Sequence, residues 1–391
     1  MKTGLDILLA DPSRLDGLRV GFCCNHTAVD GRFRHGIDRL TEAGVNLVRL
    51  FGPEHGVRAT AQDMEDVVEQ RDPVTGLPTV SLYGDNAESL HPDPQTLADL
   101  DVVLFDIQDI GARYYTYQAT LGFVMAVAGQ VGTRVIVLDR PNPINGLSVE
   151  GNIVSPGFES FVGAYPIAVR HGMTVGELGH YFLRHCGVEC EYEVIGCEGW
   201  DRSEWLDQTG LPWVYPSPNM PTLETATIYP GMCLIEATNL SEGRGTTRPF
   251  HLVGAPWVDP QRLVKLCEEG AERAGLQGLA FRPAAFVPGF QKHAGVPCQG
   301  VEVHLLDRSK LHALLLGMVV TEACYRENPE RFGWRTEPYE FVSDPPAIDL
   351  LTGSAAYREA LEAGGSIAAV LQSWETERQG FLERRAGCLL Y

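Results

Sequence analysis

Three stretches of this chain carry side chains able to do chemistry on a substrate. In the first, Glu54 and His55 sit in GPEHG, between Pro53 and two glycines. Glycines let a substrate approach the backbone closely, and partial burial raises a Glu pKa toward what a general acid needs at neutral pH. In the second, Asp109, Arg113 and Tyr117 follow Asp106 and Gln108 in FDIQDIGARYYTY. In the third, SEGRG places Glu242 beside Arg244, with Gly243 and Gly245 on either side of the arginine. A guanidinium fork on an open loop suits a carboxylate or another planar anion. Each stretch also has a purely structural reading. Glu54 could cap a following helix, Asp109 and Arg113 could pair four residues apart, and Glu242 with Arg244 could close a surface turn.

Other chemistries find less support. GxGxxG and GxxxxGK[ST] phosphate loops are absent, so a dinucleotide or P-loop site is not expected. The chain lacks a G-x-S-x-G nucleophile elbow. His180, His185, Cys186, Cys190 and Cys197 lie close together, but C-x3-C followed by C-x6-C is not a zinc spacing, so neither a metal nor a cofactor is expected.

The elements that must position these residues alternate in the first half. Near-continuous apolar runs at 18–24, 45–51, 78–83, 102–107 and 134–138 predict five strands, with helices at 37–43 and 117–129. Such runs indicate a buried, mostly parallel, doubly wound α/β sheet. In such folds the loops after the strands emerge at one edge, where ligands bind. Asn25, the GPEHG glutamate, Asp109, Arg113, Arg140 and Asn142 would then converge there. The second half reads as a smaller mixed α+β unit. Thr174 and Glu177 have capping-box spacing at the start of a helix reaching about Cys186, which accounts for that glutamate. A strand follows at 191–195, a Pro- and aromatic-rich loop at 212–230 and a strand at 233–237. After the Gly-rich loop at 241–247 come helices at 260–274 and 311–324, a strand at 301–305 and an amphipathic helix at 366–379. The division is expected near residue 150, giving domains 1–150 and 151–391.

Charge narrows the partners. The chain has 391 residues, with 31 Lys plus Arg against 51 Asp plus Glu, a formal net charge of −20. A nucleic-acid footprint or attraction to an anionic membrane needs the opposite sign, so neither is expected. The N-terminal apolar stretch is short and broken by Asp6, and cysteines sit inside apolar runs. Both lead to the expectation of a cytoplasmic, reducing location. Oligomeric state is not readable from the sequence.

The motifs FGPEHGVRA, FDIQDIGARYYTY, LDRPNPI, HGMTVGEL, YPSPNMPTLETATIYPG, TNLSEGRGTTRPF and WETERQGFLERRAGCLLY together resemble the exo-β-N-acetylmuramidase family called NamZ, long described only as a domain of unknown function. The resemblance runs in order from about Gly17 to Tyr391. It implies a Rossmann-like catalytic domain, a second smaller domain and a cleft between them. It also implies an exo-acting glycoside hydrolase that releases N-acetylmuramic acid (MurNAc) from non-reducing ends of peptidoglycan fragments. The family's catalytic glutamate then falls on Glu54, with His55 tuning or relaying its proton. Glycosidases commonly use a second carboxylate, for which Glu242 and then Asp109 are the candidates; substrate-assisted attack by the acetamido group is the alternative. The lactyl carboxylate of MurNAc calls for a cation, first Arg244, then Arg113, Arg140 or Lys292. Tyr117, Asn142 and Asn219 could bind sugar hydroxyls or the acetamido group. Competing expectations are a non-catalytic muropeptide-binding module and a glycosidase for another amino sugar.

Overall fold

The computed structural model describes the chain except Glu54, His55, residues 59–69 and Asp85. Among the described residues the first sheet has seven strands. They are β1 (Val20–Cys24), β2 (Leu47–Gly52), β3 (Gln70–Arg71), β4 (Pro78–Ser81), β5 (Val102–Asp106), β6 (Arg134–Leu138) and β7 (Tyr192–Ile195). Their spatial order is β3-β4-β2-β1-β5-β6-β7. All neighbours pair in parallel except the short β3 at one edge. Counting only the six parallel strands in chain order, the arrangement is 3-2-1-4-5-6, the doubly wound order with its switch point between β1 and β5. The five predicted strands of the first half are all present.

Both faces of this sheet are covered, as continuous apolar strands require. Val102, Leu104, Ile136 and Leu138 face a cluster with Leu5 and Leu8 of α1 (Gly4–Ala10) and Ile37 and Leu40 of α2 (Gly36–Glu42). Val103, Phe105, Val135 and Val137 face a larger core with α3 (Tyr117–Val131) and α4 (Val175–His185). The capping box at Thr174 and Glu177 forms as expected. The glutamate also pairs with Arg202 at 2.6 Å.

The larger core continues without interruption into the second half. There α6 (Pro260–Ala274) packs against an antiparallel sheet of β8 (Leu252–Ala255), β9 (Leu279–Phe286) and β10 (Cys298–Leu305), ordered β8-β10-β9, and α7 (Ala313–Glu327) packs against α6 and against α5 (Leu223–Met232). The backbones of α5 and α7 touch, since a Cβ on Gly317 would lie 1.9 Å from the Gly231 oxygen. The chain ends in α8 (Ala347–Thr352), α9 (Ala356–Glu362), α10 (Ile367–Ser373) and α11 (Glu375–Ala386).

Several expectations change. The second half extends the first sheet, because residues 192–195 form β7, so a cut near residue 150 would strip that edge strand from its partner β6. The stretch at 212–230 is not loop throughout. Thr222 caps α5 by accepting from the Thr225 amide, and the helix runs through Pro230. The strand expected at 233–237 is instead a 3-10 turn continuing α5, an ambiguity inherent in short apolar runs. The helix at 366–379 breaks at Trp374 into α10 and α11. No helix among the described residues is long and apolar enough to cross a membrane.

Two buried polar side chains hold the halves together. Arg113, fully buried, donates through its terminal nitrogens to the carbonyls of Asn152 at 2.8 Å, Ile167 at 3.0 Å and Leu351 at 2.8 Å. Burial lowers its pKa to about 10, which still leaves it charged at neutral pH. Asp139, at the end of β6, accepts from Thr174 Oγ1, the Gly176 amide and the hydroxyl of the last residue, Tyr391, at 2.7–2.9 Å. Replacing Arg113 by Met leaves three carbonyls without their donors. At roughly 1–3 kcal/mol for each buried unmet group, urea unfolding should show a loss of about 3 kcal/mol or more; a loss under about 1 kcal/mol contradicts this role. Burial raises Asp139 to about 6, above its ordinary value of 3.8. The folded state therefore binds the proton more tightly, and this contribution is present below pH 3.8 and lost as pH rises through about 6. The stability advantage of wild type over Asp139→Asn should shrink between pH 4 and 6 and level off above; a constant difference across that window would count against it.

Candidate functional site

The loops at the switch point do converge, and many of their polar groups bond one another. Asn25 Oδ1 accepts from the amide of Thr27 at 2.9 Å and its hydroxyl at 2.5 Å. Thr27 Oγ1 accepts from the Gln108 amide at 2.9 Å, and Gln108 Nε2 donates to the carbonyls of Asp109 and Pro141. Arg140 forks onto Asp106 with contacts of 2.5 and 3.1 Å, and also donates to the Val29 carbonyl. Leu211, Pro212, Trp213 and Val214 lie beside this crevice, next to Gln108 and Arg140. Asn142 bridges the Met173 carbonyl and the Ile144 amide. Asp109 accepts from the Gly111 amide at 2.6 Å and faces His171 Nε2 at 3.3 Å. These residues, with Arg113, brace the sheet edge and do not line the pocket described next.

That pocket opens further along the β5–α3 connection. Its walls are Tyr114, Tyr115, Thr116 and Tyr117 on the first-half side, and Ser217, Asn219, Tyr229, Glu236, Arg244, Phe250, Tyr339 and Glu340 on the other. Of the residues expected from the sequence, Tyr117, Asn219 and Arg244 are brought together here. Tyr117 donates its hydroxyl to the Pro216 carbonyl at 2.8 Å, fixing the aromatic-rich loop that carries Asn219. Tyr114 donates to the carbonyl of Pro230 inside α5. Glu54 and His55 lie outside the described residues. β2 ends at Gly52, and Tyr83, just beyond β4, donates to Glu340 Oε2 at 3.5 Å, which ties the end of β4 to the pocket wall.

Arg244 is the electrostatic centre of the pocket. One terminal nitrogen donates to Glu236 Oε1 at 2.6 Å, Nε lies 3.0 Å from Glu242 Oε1, and the guanidinium sits 5.3 Å over the Phe250 ring. Glu236 also accepts from the Tyr339 hydroxyl at 2.9 Å. Glu242 is buried behind the arginine, and its other oxygen meets Lys292 Nζ at 2.8 Å. Burial alone would raise the Glu242 pKa, but Lys292 and Arg244 together hold it below the ordinary value. It therefore stays ionised at neutral pH as a counter-ion. Lys292 lies outside this pocket, in a groove next to it, and donates to the carbonyls of Ile235 and Thr238.

Gly243 and Gly245 present the arginine in a way other residues could not. Both have positive φ, 77° and 74°, and a Cβ on Gly245 would fall 2.7 Å from the Gly289 backbone. Sequence reading missed Glu236, Tyr339 and Glu340. The available signal was Glu236 itself, one carboxylate inside the apolar run CLIEA, which is costly to bury without partners. No group of His, Cys, Asp or Glu among the described residues is arranged to hold a metal ion.

Together these features define a two-part α/β protein with a pocket, lined by carboxylates, tyrosines and an arginine, where its halves meet. The model for the N-terminal part of exo-β-N-acetylmuramidase NamZ matches residues 20–224, and that for the C-terminal part matches 227–391. The chain belongs to this NamZ family. It is 41% identical over its whole length to the peptidoglycan β-N-acetylmuramidase NamZ of Bacillus subtilis strain 168, covering 91% of that protein. Two crystal structures of DUF1343 family proteins from Bacteroides fragilis share its architecture across the whole chain and 98% of theirs. One has a TM-score of 0.87 at 35% identity, the other 0.74 at 27%.

Gly245→Ala should cost roughly 1–3 kcal/mol through left-handed strain and crowding. A lowered denaturant midpoint checks it, and an unchanged midpoint would show that the loop rearranges freely.

Proposed function

We propose that the protein is an exo-acting glycoside hydrolase that releases MurNAc from non-reducing ends of peptidoglycan fragments, serving cell-wall turnover and recycling. Its full-length identity to a peptidoglycan β-N-acetylmuramidase carries this reading, and the pocket supplies chemistry consistent with it. Glu54 of the GPEHG motif acts as the general acid that protonates the leaving oxygen, assisted by His55. Arg244 receives the lactyl carboxylate. Support for that role comes from its position on the pocket wall, over the Phe250 ring. Tyr117 and Asn219 bind hydroxyls or the acetamido group. For a second carboxylate, Glu236 and Glu340 join Glu242 and Asp109 as candidates, and only the first two line the pocket. Substrate-assisted attack needs none of them as nucleophile. A cytoplasmic, reducing location agrees with ten cysteines that are all free thiols.

The test uses 4-nitrophenyl glycosides. Wild type should release nitrophenol from the MurNAc glycoside and not from the N-acetylglucosamine analogue, and Glu54→Gln should lower kcat by about 100-fold or more. Binding without turnover would favour a muropeptide sensor. Equal rates on both glycosides would remove the lactyl-recognition role.

A further inference from the structure

Beside the pocket lies an open groove of about 750 Å³, between the loop carrying Phe290 and Lys292 and the segment Trp334–Glu337, with Thr238 and Asn239 also lining it. We propose that this groove binds the leaving-side N-acetylhexosamine, the neutral sugar next to the terminal MurNAc; this rests on the hydrolase reading above.

Continuity is the first support. Thr238 and Trp334 form an antiparallel bridge, and the Arg335 amide donates to the Ala237 carbonyl at 2.8 Å. Two chain segments thus run side by side from pocket to groove. Glu236 and Tyr339 stand at the pocket end, with Thr238, Trp334 and Arg335 at the groove end. Tyr339 serves both, since its hydroxyl donates to Glu236 while its ring lies 5.1 Å from the Arg335 guanidinium. An exo-acting pocket holds one terminal sugar, so the rest of the glycan must leave along a wall that continues from it.

The groove's chemistry is the second support. Phe290 and Trp334 offer rings for the apolar face of a pyranose, and Trp334 is fixed in place by donating Nε1 to Glu362 at 2.8 Å. Charged groups of both signs lie in or against it. Lys292 is neutralised by Glu242, and Arg335 shares the groove with Glu337. A pyranose with an acetamido group offers an apolar face to these rings and hydrogen-bonding groups to Thr238, Asn239 and Arg335. His293 and Gln291 hold left-handed backbone, with φ of 58° and 55°, and His293 Nε2 lies 2.9 Å from the Asn239 carbonyl, so the loop is shaped before any ligand arrives.

The test compares two substrates on the full chain. One is the disaccharide of MurNAc β-linked to N-acetylglucosamine. The other is the β-glycosyl fluoride of MurNAc, whose leaving group is a single atom. In Trp334→Ala the ratio of kcat/KM for disaccharide over fluoride should fall about tenfold, the equivalent of one lost stacking contact. Arg335→Met should lower it severalfold. The ratio is independent of the folded fraction, and Phe290→Ala replaces Trp334→Ala should that variant not yield folded protein. An unchanged ratio, with wild type active on the fluoride, overturns the groove assignment and leaves the hydrolase reading standing. A ratio that changes only for peptide-bearing fragments also overturns it. Failure of wild type to cleave either substrate defeats the hydrolase reading itself.

Discussion

The buried guanidinium of Arg113 is the interaction on which the architecture turns. One side chain from the β5–α3 connection satisfies carbonyls at 152, 167 and 351, three places far apart in sequence. A backbone carbonyl left without a donor inside a protein carries a desolvation penalty, so these segments hold together as a group. Because Tyr114–Tyr117 follow directly, the same anchor sets the first wall of the pocket. The C-terminal helices are tied in through Leu351, and the last residue through Asp139. The two halves are thus a continuous core with a cleft and not two units on a linker.

The doubly wound sheet carries its usual crevice between β1 and β5, and a small pocket there is lined by Thr27, Gln108 and Arg140. Asn25 Oδ1, Thr27, Gln108, Asp106 and Arg140 bond one another and backbone carbonyls, and the 211–214 segment lies alongside. The pocket that holds Arg244 lies outward, where tyrosines of the first half face the glycine-rich loop and Tyr339 of the second. In a chain of net charge −20, Arg244 stands on the pocket wall against Glu236 and Glu242, and Lys292 in the adjoining groove meets Glu242. The pairing matters physically, since a buried charge is tolerated only when paired. An anionic sugar would meet Arg244 locally even though the long-range field opposes its approach.

Much of the fold was legible in the chain. Continuous apolar strands, the capping box at Thr174 and the Pro-started α6 rest on local patterns, and they appear at the expected residues. The errors fall where local signals compete. CLIEA has strand-like content but continues a helix, because α5 delivers it in helical phase to the core beside α7. β9 was missed because its residues alternate weakly along a half-exposed edge strand.

What the sequence determined by itself was the alternation that makes a parallel sheet, the glycines that force Arg244 onto a left-handed loop, and the family motifs. These depend on residue type and spacing along one stretch of chain. Only the tertiary structure decided which polar residues brace the sheet edge and which line the pocket. Arg113, Arg140 and Asn142 were expected as binding groups and donate to buried backbone or pair with a buried carboxylate, while Glu236, inside a run expected as a strand, lines the pocket. The reason is that a polar side chain's role depends on which unmet donors and acceptors surround it, and those come from segments up to 238 residues away.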